Sequence, residues 1–230
     1  MFQRGTRSWR FSHGSDQAPH ALLFVRDSLG LPVGAGPGNP PRLDGDVPDL
    51  AGRLDERTRR EAGQQWPAWW RDVLARDGAM NLRDGGTNDP PPPAGAMVLR
   101  AREMARLRRE FIDPPEWHSL SDRPALQAAA RACYTDGCRW ADAALHPVHR
   151  EGADSPIFEW HVVRDAAEAA AAELGVDIGD INGRAIVLAV TGRWHALLAP
   201  GLAACSVSDA LDPRSAAAIL RETFSSWVTR

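Results

Sequence analysis

Residues 186–227 read IVLAVTGRWHALLAPGLAACSVSDALDPRSAAAILRETFSSW, and the fold class turns on them. Ile186 to Val190 is a continuous apolar run with β-branched members, the pattern of a buried strand. Thr191-Gly192-Arg193 fits a hairpin loop, and Trp194 to Ala199 reads as the returning strand. Ala203 to Ser208 adds a third. Asp212 is placed to cap a final helix with Pro213 in its first position. That helix carries Ala216, Ile219, Leu220, Thr223, Phe224 and Trp227 on one face. An Ala-rich helix over His161 to Leu174, closed by Gly175, precedes the strands. The block predicts an α+β protein, predominantly helical, with a small antiparallel sheet near its C-terminus.

Working outward, Ser121 or Asp122 caps a helix with Pro124 in its first turn, running to Leu145 and breaking at Pro147. Met97, Ala101, Met104, Leu107 and Phe111 form a helical stripe stopped by Pro114 and Pro115. Asp84 to Gly95 holds four consecutive prolines and three glycines, so it reads as a semi-rigid linker. It divides a strand, loop and helix region, 1–83, from an α+β domain, 96–230. In the first region, Ser8 to Ser12 and His20 to Leu29 read as short strands, and Gly30 to Pro48 as a loop. From Leu54 to Arg76 the pattern is helical, with a kink expected at Pro67 and an end at Gly78.

The chain has 230 residues, a net charge of −3 and 25% charged residues, which argues against a general nucleic-acid binder. All 27 basic residues are Arg, matching the codon usage of a GC-rich bacterial genome. A lysine Schiff base and a P-loop lysine are thereby excluded. No apolar run reaches the ~7–15 residues of a signal peptide or the ~18 of a membrane span. Three cysteines make no complete disulfide set, so the expectation is a reducing cytoplasm. Nine Trp stand against one Tyr and six Phe. Each buried indole removes ~150–250 Å² from water, on the order of 4–6 kcal/mol at ~25 cal/mol/Å².

Several constellations bear on chemistry. Cys133, Cys138, His146 and His149 carry ligand types suited to zinc, but the His pair has two residues between its members where structural sites usually have three to five. Cys133 and Cys138 on one helix lie about 140° apart, unless Asp136-Gly137 breaks it. Trp-His occurs three times, so His118, His161 and His195 are candidates for a three-histidine metal site, with Glu116 or Glu159 as its base. Cys205 near His195 suggests a thiol nucleophile and its base, without an oxyanion feature beside it. Gly34, Gly36 and Gly38 mimic a dinucleotide loop but lead into Pro40-Pro41 rather than a helix. Asp177, Asp180 and Asn182 mimic a calcium loop but miss its first and last ligands.

Arg100, Arg102, Arg106, Arg108 and Arg109, offset by Glu103 and Glu110, read as a solvated helix face or one packing on an acidic partner. Trp66, Trp69 and Trp70 subtend a wide arc, either core or a recognition surface rimmed by Arg59 and Arg71. Every catalytic pattern fails in spacing or context, while Trp and Arg dominate interface hot spots. The expectation is therefore a non-catalytic binding or accessory protein of a bacterial cytoplasm, acting on a protein partner or as a homo-oligomer, without a cofactor. The alternative is a metal-dependent hydrolase using His and Cys ligands, with zinc as its metal.

Overall fold

In β2 (Asn182–Leu188) all residues but the first are buried, and the layers are arranged around it. A computed structural model describes residues 9–34, 36–84, 94–151 and 157–228, without the side chains at 81–84, 94–97, 100–101 and 146–151. β2 pairs in parallel with both β1 (Arg10–Gly14) and β4 (Leu202–Ser206). β3 (His195–Ala199) lies antiparallel to β4 at the sheet edge, giving the order β1-β2-β4-β3. The α+β class holds, but the sheet is mixed rather than antiparallel. The expected hairpin between 186–190 and 194–199 does not form, because β4 lies between the two strands. The chain leaves β2 toward the Gly/Pro loop. Val190 bridges Leu43, and the Thr191 N–H donates to the Arg42 carbonyl at 2.8 Å.

Alternation along β2 and β4 feeds two cores. Ala185, Val187, Ala203 and Cys205 join one cluster with α5 (Trp160–Leu174) and α7 (Pro213–Val228). Ile186, Leu188, Leu202 and Ala204 join the other, with α1 (Gln17–Ser28), α2 (Glu56–Asp84) and α4 (Pro124–Glu151). Burial on both faces explains why the strand reads as an unbroken apolar run. Residues from both sides of the proline segment, Trp66 and Ile186 among them, share the second cluster. The four prolines themselves, Pro90 to Pro93, lie outside the described residues.

The termini of the C-terminal block match the sequence. Asp212 accepts from the Ser215 N–H and hydroxyl at 3.1 and 2.8 Å, capping α7. Gly175, at φ 66°, closes α5. The α7 stripe is buried from Ala216 to Phe224, while Trp227 is half-buried against Gly201. Elsewhere tertiary packing overrides local rules. Residues 20–29 belong to α1, not a strand. This helix is buried almost all round, so its apolar run shows no periodicity. α2 continues as one helix through Pro67, a residue that costs a helix interior about 3 kcal/mol relative to alanine. Burial of Ala62, Trp66, Trp70, Val73 and Leu74 along its length offsets that cost. α4 likewise continues through Gly137 and Pro147.

Two of these glycines are close-approach points rather than breaks. A Cβ on Gly137 would meet the Ala21 carbonyl of α1 at 3.0 Å. A Cβ on Gly78 would lie 2.0 Å from Leu202 Cδ2 of β4, so α2 passes the sheet at a distance only glycine permits. The Gly78→Ala variant is expected to lose about 1–3 kcal/mol through overpacking, despite alanine's better helix propensity. Urea unfolding checks this; an unchanged or raised midpoint would mean Leu202 has room to rotate away.

Candidate functional site

The three indoles of α2 do not form an open recognition arc. Trp66, Trp69 and Trp70 are 0%, 3% and 0% exposed, which corrects the expectation of a surface cluster. Trp66 stacks on Trp70 with ring centroids 5.2 Å apart and donates its Nε1–H to the Leu22 carbonyl at 3.2 Å. Trp69 meets Trp117 edge-to-face at 5.8 Å, and Trp117 meets Tyr134 in the same way at 4.7 Å. The physical reason is the small side chains of α4: Ala125, Ala129 and Ala130 face the same core, and the indoles help fill the space they leave. Arg59 and Arg71 do not rim a common face. Arg59 is half-buried beside Gly30. Arg71 is exposed, donates to the Pro67 carbonyl at 3.3 Å and packs on Gly38.

Trp69 nevertheless lines a cavity of about 220 Å³. One wall is the α2 face bearing Trp69, Val73 and Arg76, which recur at helical spacing. The other wall is Phe111, Ser119 and Leu120, from the chain after α3 (Ala94–Arg108). Asp113 accepts from the Ser119 hydroxyl at 2.5 Å, and Trp117 beside it takes a left-handed φ of 54°. The Trp69 Nε1–H is buried and without an acceptor. Arg76 lies over the Phe111 ring at 6.0 Å.

The other constellations are taken apart by the fold. His118 follows Trp117 on the α1/α2/α4 side of the sheet, whereas His161 starts α5 on the opposite side. His195 is on β3, so the three Trp-His pairs do not converge. Among the described residues no group of three or more His, Cys, Asp or Glu could hold a metal. Cys133 and Cys138 remain about 140° apart on one continuous helix, since Gly137 does not break it. The side chains of His146 and His149 lie outside the described residues.

His195 lines a further cavity of about 360 Å³ with Glu222, and its Nδ1 is 3.9 Å from the buried Asp209 carboxylate. Cys205 stands opposite His195 in the strand register, but burial, and then the Asp209 charge, push its thiol up to about 12. Burial raises Cys133 to about 11. A third cavity, about 330 Å³, adjoins the Gly34–Gly38 loop. There the buried Arg26 is consumed structurally: it pairs with Asp27 at 2.7 Å and donates to the carbonyls of Pro40 and Pro41 at 2.5 and 2.6 Å.

Raised thiol values mean the fold favours the neutral sulfhydryl. Cys133 and Cys205 are thus expected to resist iodoacetamide in the native protein at pH 8, with Cys138, only partly buried, modified first. Mass mapping of the alkylated peptides decides it. Rapid labelling of Cys205 would restore the nucleophile role. Comparison of the chain with family models, curated proteins and solved structures gives no significant match.

Proposed function

We propose that this is a non-catalytic binding or accessory protein of a bacterial cytoplasm, acting through protein–protein contacts on its α3 helix. The observation that carries the reading is the exposure of that helix. Val98 and Leu99 are 52% and 66% exposed, and among the described α3 side chains none is fully buried. A helix of 15 residues is marginal in water by itself, so exposed aliphatic residues along it favour a covering partner. Its C-terminal end is anchored: Arg108 donates twice to the buried Asp77 carboxylate, at 2.9 and 2.5 Å.

Charge selects the partner. Arg106 is taken by Glu103 and Glu110, and Arg108 by Asp77. Arg102, one turn after Val98 on α3, and Arg109, just past the helix end, carry no ion pair among the described residues. An apolar pair flanked by unpaired guanidinium groups suits an amphipathic, acidic helix. A second copy of the same face would set arginines against arginines. The arginine-only basic set and three free thiols support the bacterial, reducing setting. Among the described residues no helix is long and apolar enough to cross a membrane.

The test uses two labelled synthetic helices, a Leu stripe flanked by Glu and the same stripe flanked by Lys, read by fluorescence anisotropy. The acidic peptide is expected to bind, the basic one not, and the Val98→Glu/Leu99→Glu double variant to bind the acidic peptide at least about tenfold more weakly. Equal binding by the variant, or no binding of the acidic peptide, overturns α3 as the contact element.

A further inference from the structure

β3 ends the sheet on one side, and the strand order β1-β2-β4-β3 leaves its outer rim without a neighbouring strand. The hydrogen-bond pattern fixes what that rim presents. His195 stands opposite Cys205, Ala196 opposite Ala204 and Leu197 opposite Ala203. The Ser206 N–H donates to the Trp194 carbonyl at 2.8 Å, so the ladder bonds fall on the 194/206 pair and, two residues on, the 196/204 pair. His195 and Leu197 occupy the alternate pairs, and their main-chain N–H and C=O groups point away from β4. Among the described residues no other group takes them.

A cavity of about 360 Å³ lies along this rim. Three consecutive strand residues line it, His195, Ala196 and Leu197, with Glu222 of α7 and, from the Gly/Pro loop, Pro37 and Gly38. Successive strand residues point to opposite faces of a sheet, so a hollow touching all three sits at the edge of the strand rather than over one face. That is the side on which the unpaired main-chain groups emerge. The His195 side chain is 47% exposed and Leu197 is 40% exposed, so the rim is open to solvent. Folded proteins blunt such edges with charge, proline or bulges. β3 reads HALLA, without Lys, Arg or Pro, and its irregularity falls only between Leu197 and Ala199.

Glu222 is exposed at the hollow with no ion pair among the described residues. Two cations near it are engaged: Arg193 pairs with Asp212 at 3.2 Å, and Arg71, behind Gly38, donates to the Pro67 carbonyl at 3.3 Å. A second carboxylate, Asp209, is buried 3.9 Å from His195 Nδ1. A chain laid on this rim thus meets free main-chain donors and acceptors, an exposed leucine and an unmatched carboxylate. A second copy of β3 fits poorly, since HALLA offers no lysine or arginine to Glu222.

We propose that the outer rim of β3 receives an extended segment of a protein partner by strand addition, in which the main-chain groups of His195 and Leu197 bond its backbone and Glu222 receives a Lys or Arg side chain. This surface is separate from α3 and does not rest on the reading of that helix.

The test is an NMR titration of the full ¹⁵N-labelled chain, read at the His195 and Leu197 amides. The probe is the capped peptide Thr-Val-Lys-Val-Thr, with a Glu-for-Lys peptide and a fully N-methylated version as controls. Saturable movement of both amides with the Lys peptide, at least about tenfold weaker with the Glu peptide and absent with the methylated one, is the expected result. Glu222→Gln should erase the preference for Lys, and Val98→Glu/Leu99→Glu should leave binding intact. Leu197→Pro removes an N–H that no ladder bond uses, so it should melt as the parent does and lose the peptide. If that variant fails to fold, the methylated peptide still decides, because binding equal to that of its parent overturns strand addition. Amides unmoved by the Lys peptide, or equal affinity for the Glu peptide, overturn the proposal as well. Movement of the same amides when the chain alone is concentrated gives the rim to a second copy and overturns the partner.

Discussion

A buried imidazole fastens the first helix to the central strand. His20 is fully buried; its Nδ1–H donates to the Asp16 carbonyl at 2.8 Å, and its Nε2 accepts the Ala189 N–H at 2.9 Å. One nitrogen donates and the other accepts, which only the neutral ring can do. The same corner is sutured twice more. Ser15 donates to the Val187 carbonyl at 3.0 Å, and Arg184 pairs with Asp16 at 2.8 Å. β1 and α1 are far from β2 in sequence, so these bonds convert a long loop closure into a fixed angle. With that angle set, α1 lies against α4 closely enough for Gly137 to touch its backbone, and α2 closes over both.

The two faces of the sheet are solved with different materials. The α5/α7 side is made of alanines and aliphatic residues, with Phe11, Phe158 and Phe224 meeting at T-shaped angles of 80–83°. The α1/α2/α4 side uses indoles. Trp66 and Trp70 stack nearly parallel at 13°, and the Arg26 guanidinium lies over Trp66 at 5.2 Å while holding Pro40 and Pro41. The Gly/Pro loop is thereby tied to the core by one cation. Large flat rings tolerate close backbone approach poorly, and it is glycine at 78 and 137 that lets the helices come together around them.

Where the sequence was legible, the signal was local. The α5 and α7 boundaries rest on Gly175, Asp212 and Pro213, and the α7 stripe faces inward as its spacing says. Where it was not, the deciding contacts are distant. α1 carries an Asp16 cap position and Pro19 in its first turn, signals of a helix start that the aperiodic apolar run obscured. Parallel pairing of β1 with β2 spans more than 160 residues, and nothing within either strand encodes it. Pro67 and Pro147 look like breaks because propensity is a per-residue quantity, whereas the burial that overrides it is summed along the whole helix. Whether the α2 tryptophans are core or surface depends on how much of α1 and α4 covers them, which no local pattern in α2 records.

The placement of α3 follows from α2. Asp77 is buried one position after Arg76, and its carboxylate takes both Arg108 bonds, so the end of α3 is pinned to the α2 face that carries the cavity. The exposed Val98 and Leu99 lie toward the opposite end of the helix. On the reading proposed above, a helix held at one end by a charge pair, with exposed aliphatic residues toward the other, gains stabilising contacts from a covering partner. On that same reading, Arg102 and Arg109, without ion pairs among the described residues, favour an acidic partner on that surface. Affinity would then come from the aliphatic pair and the long-range charge, with the Arg108–Asp77 bonds fixing how the helix is presented.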